Sequence, residues 1–258
     1  MSDAGAEGIA VPASDGAGAA LRVDILRKVY GSAGPEPVEA VRDLAFTVTA
    51  GAITCLIGPS GAGKTTTLRI LLGLDADYEG RVTPPPDEAG IAMAFQEPRL
   101  LPWRTVEQNV RLALPRPART QNLDALFDSL GLTPWRGRYP GALSLGMARR
   151  VSLARALAQK PRILILDEPF VSLDDNAAAA LRGLVVAAVE GSGMGVLMVT
   201  HNVAEALEIA DRLLLVSGRP ASLLGTITLD RPRGQRERGW MEANRASLAA
   251  RFPGIIAS

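Results

Sequence analysis

Much of what a chain can carry is scarce here. There is one cysteine, Cys55, so no internal disulfide can form, and a reducing compartment is the natural setting. Apolar neighbours (Ile53, Leu56, Ile57) mark Cys55 as a small buried strand residue rather than a reactive thiol. Aromatic residues make up 4% of the chain and the formal net charge is +1. Neither a base-stacking surface nor a basic face for nucleic acid is available from that inventory, so no nucleic-acid partner is expected. No apolar run approaches the roughly 18 residues that would span a bilayer. The first residues carry acids and no basic group before Arg22, unlike the positive n-region and apolar h-region of a signal peptide. The expectation is a soluble cytoplasmic chain whose membrane role, if it has one, runs through a partner.

What is present is ordinary globular material: 47% apolar and 21% charged residues over 258 positions, enough for a sizeable core. Residues 1–20 are mostly Ala, Gly, Ser and Asp and are expected to be a disordered extension. Leu21, Val23 and Ile25 alternate, as do Leu44, Phe46 and Val48, which is the period of half-buried strands. Gly31–Pro37 between them reads as a loop. Short apolar runs follow at Ile53–Ile57, Ile163–Leu166, Val196–Val199 and Leu213–Val216. Helical stretches separate them at about Lys64–Leu72, Met147–Gln159, Asn176–Val189 and Val203–Ala210. Strands alternating with helices predict parallel βαβ units, hence an α/β fold covered on both sheet faces. From about 97 to 155 the apolar spacing turns helical (Val106, Val110; Leu123, Leu126, Phe127, Leu130), so this block reads as a helical insertion. The tail, 231–258, is rich in Arg, Gly and Pro and ends in a short helical-looking piece.

The chemistry-bearing stretch is Gly58-Pro59-Ser60-Gly61-Ala62-Gly63-Lys64-Thr65-Thr66, which fits G-x-x-x-x-G-K-[ST] between a buried strand and a helix. Its glycines let backbone N–H groups converge on phosphate oxygens, and the helix start adds a positive dipole end. Lys64 supplies a point charge for the β- and γ-phosphates, and the Thr65 hydroxyl is a ligand for Mg²⁺. The strand Ile163–Leu166 ends in Asp167-Glu168. Carboxylates at that sheet edge lie where α/β proteins bind ligands. Asp167 suits the Mg²⁺-holding role, and Glu168 a general base that orients water.

These elements together resemble the ABC ATPases over about Leu21 to Leu229. The resemblance implies a P-loop NTPase (RecA-like) core with N-terminal antiparallel β strands and an inserted α-helical subdomain. It sets the ATPase domain at 21–230. By resemblance, Gln96 contacts Mg²⁺ and water and senses the membrane partner, the sole histidine His201 contacts the γ-phosphate, and Tyr30 stacks on adenine. Ser172-Leu173-Asp174 is similar to the D-loop, with Val171 where a serine is usual. The signature stretch is Leu143-Ser144-Leu145-Gly146-Met147, with Leu145 in place of the first of two usual glycines. Ser144 and Gly146 are left to bring a hydroxyl and an N–H to phosphate at a helix start. Arg149, Arg150 and Arg155 fit the pattern that follows. In this family the signature of one subunit completes the site of another, so a homodimer, or a pair with a related second ATPase subunit, is implied.

Phe95 to Val106, containing Gln96-Glu97-Pro98-Arg99-Leu100-Leu101-Pro102-Trp103, resembles the ATPases of nitrate, sulfonate and taurine importers. That branch implies ATP and Mg²⁺ as ligands and a transmembrane permease docked near Trp103. It also implies a solute-binding protein acting indirectly, and a peripheral place on the cytoplasmic face of the inner or plasma membrane. Two alternatives stay open on sequence: a weakly hydrolysing regulatory subunit, motivated by Leu145 and Val171, and a lipid-transport ATPase.

Overall fold

A computed structural model describes residues 18–31, 37–84 and 90–255. Most of the expected extension 1–20, the centre of the Gly31–Pro37 loop and the last three residues lie outside the described residues. In chain order the strands are β1 (Ala19–Tyr30), β2 (Val38–Thr49), β3 (Ile53–Ile57), β4 (Glu79–Thr83), β5 (Ile91–Ala94), β6 (Ile163–Asp167), β7 (Gly195–Thr200), β8 (Arg212–Val216) and β9 (Leu223–Thr228). The α-helices are α1 (Lys64–Leu71), α2 (Val106–Leu112), α3 (Asp124–Ser129), α4 (Leu145–Leu157), α5 (Asp175–Ser192), α6 (Val203–Ile209) and α7 (Arg238–Arg251).

The two alternating runs at the start of the chain pair with each other. In the antiparallel register of β1 with β2, Leu21 faces Val48, Val23 faces Phe46 and Ile25 faces Leu44. These side chains are all buried. They pack with Leu56 of β3 and with Leu68, Ile70 and Leu71 of α1. Removing a Leu or Ile of this kind from water is worth about 1.5–3 kcal/mol, so the pairing of the two runs fixes the small sheet against the large one. β4 completes the small sheet in the order β2-β1-β4.

The large sheet runs β5-β6-β7-β3-β8-β9, parallel except for the β8–β9 pair. Successive residues of β3 serve opposite faces. Ile53, Cys55 and Ile57 join the core built with α4, α5 and α6, while Leu56 joins the core under the small sheet. Both faces are therefore covered, as continuous apolar strands require. Burial also pushes the Cys55 thiol well above its ordinary pKa, which suits an inert core residue.

The helical block is organised by its caps. Thr105 and Gln108 form a reciprocal capping box at α2. Ser144 caps α4 by accepting from Met147 N at 3.3 Å, so the helix begins at Leu145, ahead of the expected Met147. The C-terminal stretch forms a 14-residue helix rather than a short piece. α7 lies on α6, buries Leu248 in the main core, and packs Trp240, Met241 and Phe252 against it.

The strand order brings the functional ends together. β7 lies between β6 and β3. The residues that follow these three parallel strands are Glu168, His201 and Gly58. They emerge side by side at one edge of the sheet.

Candidate active site

The glycine-rich loop leaves β3 and returns as α1 with Gly61 at φ 75 and Gly63 at φ 106, both in the region L side chains avoid. A Cβ on Gly63 would stand 2.3 Å from the carbonyl oxygen of Ala40. The loop is thus a close fit against β2, and only glycine permits it. Lys64 opens α1 and is buried. Its ammonium donates to the carbonyls of Gly58 at 2.6 Å and Pro59 at 2.8 Å. Burial lowers its pKa, while the charges of Glu168 and Asp167 act the other way.

Ser60, Gly61, Ala62, Gly63, Lys64, Thr65 and Thr66 line an open cavity of about 270 Å³. Gln96, Asp167 and Glu168 line the same cavity. Burial raises the pKa of Asp167, the charge of Glu168 adds to this, and Lys64 and Arg99 pull it down. Glu168 follows β6 at φ 44. Its Oε1 is 2.8 Å from His201 Nδ1, and its Oε2 accepts from Thr200 Oγ1 at 3.3 Å. A carboxylate only accepts, so Nδ1 carries the proton in that contact.

The sequence-expected residues are not all at the cavity. Tyr30 ends β1 with 38% of its surface exposed, its hydroxyl donating to Asp75 at 2.9 Å and its ring 4.6 Å from the Lys28 ammonium. Ser144 and Gly146 stand at the start of α4. Tyr30, Gly58, Pro59, Ser144, Gly146 and His201 are not among the residues lining the cavity, His201 reaching it through its contact with Glu168. Leu145 is the first residue of the helix and does not have positive φ. The backbone freedom of glycine is therefore not needed there, and the side chain is 43% exposed.

Three neighbours escaped the sequence reading. Thr200 bridges Glu168 and a further carboxylate, Glu205, whose Oε2 lies 3.4 Å from its hydroxyl. Burial and the charge of Glu168 raise the Glu205 pKa. Arg219, in the turn between β8 and β9, also lines the cavity. A threonine next to the histidine was a readable signal; the other two look like ordinary surface charges.

The arrangement offers the backbone of a glycine-rich loop, one buried cation, and a carboxylate held by two hydrogen bonds. That suits binding a polyphosphate and activating water at its end. Thr65, Gln96 and Asp167 all line the cavity and carry oxygen donors, a chemistry that would suit a hard cation such as Mg²⁺.

Comparison with known proteins agrees with this chemistry. The sequence profile of the ABC transporter family matches residues 41–171. An aliphatic sulfonates import ATP-binding protein of Burkholderia cenocepacia is 38% identical over 240 residues, covering 90% of this chain and 87% of that one. A dimeric bacterial ABC transporter cassette superposes with a TM-score of 0.70 at 26% identity, over 82% of this chain and 100% of its own. A post-hydrolysis state of that cassette, bound to ADP and Pi, gives a TM-score of 0.65 at 26% identity, over 79% and 98%.

Proposed function

Because the chain belongs to the ABC transporter family, as its ATP-binding and ATP-hydrolysing subunit, we propose that it drives uptake of a small sulfonate-class solute through a separate permease. The observation that carries the hydrolytic reading is the convergence of the phosphate loop, Asp167 and Glu168 on one cavity, with His201 bonded to Glu168.

The proposed roles follow from that geometry. The loop Gly58–Thr66 binds the phosphates, with Lys64 exchanging its contacts on Gly58 and Pro59 for β- and γ-phosphate oxygens. Glu168 accepts the proton of the attacking water. Thr200 and His201 orient its carboxylate, and His201 also stabilises charge on the transferred phosphoryl group. Mg²⁺, held by Thr65, Gln96 and Asp167, would neutralise charge between the β- and γ-phosphates. Tyr30, exposed at the end of β1, offers its ring to adenine. Ser144 and Gly146 lie away from the cavity of their own chain, which supports their serving the nucleotide of a second subunit in a head-to-tail dimer.

The inserted segment, about 97–155, is the part proposed to meet the permease. Trp103 is 68% exposed and Leu101 36% exposed, a few residues from Gln96. An aromatic anchor beside a cavity residue can carry closure of the ATPase pair to a membrane helix. Among the described residues no helix is long and apolar enough to cross a membrane. A peripheral place on the cytoplasmic face, and delivery of solute by a separate binding protein, complete the reading. The relative named for aliphatic sulfonate import supports the solute class.

The test is hydrolysis by the permease complex in liposomes, with and without an alkanesulfonate and its binding protein. Stimulation by the sulfonate is expected, and none from Glu168→Gln, which is expected to bind ATP and hold a closed dimer. Wild-type turnover in Glu168→Gln would sink the catalytic assignment. A wild-type complex indifferent to sulfonates would sink the solute.

A further inference from the structure

Arg149 sits on α4 with 6% of its surface exposed. One guanidinium nitrogen donates to the carbonyl of Glu168 at 3.1 Å and to that of Pro169. The other donates to the carbonyl of Val171 at 2.5 Å. Among the described residues Arg149 makes no ion pair. A buried cation answered only by carbonyl dipoles is costly unless those dipoles converge well. They converge on its two terminal nitrogens because the chain doubles back after β6, while Nε is buried without a partner. Two residues of that turn, Glu168 at φ 44 and Ser172 at φ 60, hold left-handed conformations that non-glycine residues disfavour. Something must over-determine such a turn, and the guanidinium does so from inside.

Glu168 is then fixed at both ends. Its carbonyl is held by Arg149, and its carboxylate by His201 and Thr200. α4 is a single helix from Leu145 to Leu157, so a displacement at its capped start reaches Arg149 as a rigid shift. A cavity of about 20 Å³ lined by Phe95, Arg149, Ser152 and Pro169 leaves room for a small shift.

We infer that Arg149 is a positioning residue for Glu168, tying the aim of the general base to the helix whose start meets the second subunit's nucleotide. The inference rests on the hydrolytic, head-to-tail reading above. Arg149 touches no reacting atom; it acts through the backbone of Glu168.

The test uses the full-length chain in its permease complex, with Arg149→Gln and Arg149→Lys made in wild-type and Glu168→Gln backgrounds. Thermal melting, ATP affinity, kcat and KM are measured for each. In the wild-type background Arg149→Gln is expected to lower kcat by about tenfold to a hundredfold, the scale of a general base displaced by an ångström, with KM and ATP affinity unchanged. Arg149→Lys, which keeps the charge and reaches fewer carbonyls, should recover part of the loss. If Arg149→Gln does not fold, a smaller kcat loss at unchanged KM in folded Arg149→Lys carries the test. In the Glu168→Gln background neither change should lower the residual turnover further. An equal fold-loss in both backgrounds, or a rise in KM with kcat held, would overturn the inference. Wild-type turnover in Glu168→Gln alone is a different result and counts against the hydrolytic reading instead.

Discussion

Gly63→Ala is the substitution whose consequence the structure fixes most tightly. Gly63 is at φ 106, so an L side chain there costs about 1–2 kcal/mol in backbone strain alone. The new Cβ would lie 2.3 Å from the Ala40 oxygen and 3.1 Å from the Ala221 Cβ. The Ala40 oxygen cannot simply retreat, because it accepts from Ala221 N at 2.9 Å. Giving up that bond costs about 0.5–1.5 kcal/mol more. The sum is about 1.5–3.5 kcal/mol, or roughly 5–10 °C in melting temperature for a domain of this size. Gly61→Ala is the internal control. Its φ of 75 carries the strain, but its added Cβ meets nothing within 4 Å. Its loss should stay near the strain alone, about 3–6 °C. Gly63 also supplies the carbonyl that accepts from Thr67 N at 2.9 Å and precedes Lys64. A displaced Gly63 therefore drags the ammonium off its seat, and Gly63→Ala should also bind ATP at least about tenfold more weakly, a loss on the scale of one charge-assisted contact. Melting by circular dichroism without nucleotide, and titration with a fluorescent ATP analogue, read the two effects. Gly63→Ala melting level with Gly61→Ala, or binding ATP like wild type, would refute the reasoning.

Asp167→Asn tests the electrostatics of the cavity. The folded carboxyl has a pKa raised above its ordinary 3.8, chiefly by burial. The unfolded chain therefore loses that proton more readily, and folding is penalised as pH rises from the unfolded value through the folded one. Without nucleotide, Asp167→Asn should melt above wild type at neutral pH, and the gap should narrow as pH falls towards 3.8. The same change should abolish the extra stabilisation that Mg²⁺ gives to ATP-bound protein. A less stable Asn variant at neutral pH, scanned without nucleotide, would contradict the sign. Leu145→Gly should lower melting slightly, by the helix propensity of glycine at about 1 kcal/mol or less, and leave turnover close to wild type. A large gain in turnover would instead favour a chain held back by its signature side chain.

The sequence was most readable where one short segment carried both structure and chemistry. Ile53–Thr65 declares a strand, a turn and a helix start, and the structure places them as β3, loop and α1. Asp167 and Glu168 were legible because an uninterrupted apolar strand ends on them. β4 was not, since only Val82 of its five residues is buried and no alternation marks it. Its Gly80 is required by contact rather than by pattern: a Cβ there would stand 2.1 Å from the Asp24 oxygen. β9 is likewise mostly half-exposed. α7 hid behind Arg, Gly and Pro, because what orders that stretch is tertiary. Arg233 and Arg236 donate to the carbonyls of Ile209, Leu207 and Ala210 around the end of α6. Arg219 reaches the cavity only through the order of strands in the sheet, which no local pattern of residues announces, whereas Glu205 lies in the first turn of α6, five residues from Thr200.

The signature stretch shows how a departure in sequence divides into a backbone part and a side-chain part. Two glycines at a helix start invite the thought that the chain there needs unusual φ. Ser144 is extended at φ −68 and ψ 164, and Leu145 begins the helix directly, so glycine's freedom is spent on neither residue. Ser144 caps through its hydroxyl and leaves the helix start directed outward. What leucine changes is bulk at an exposed edge. Gly146 differs in facing α5, where a Cβ would come into ordinary contact with Ala177 at 3.4 Å. The retained glycine is therefore the one that faces its own chain, and the departure falls at the residue whose side chain is exposed. A chain weakened as a hydrolase would have to be weakened by that leucine meeting the second subunit, since the fold of α4 itself is undisturbed.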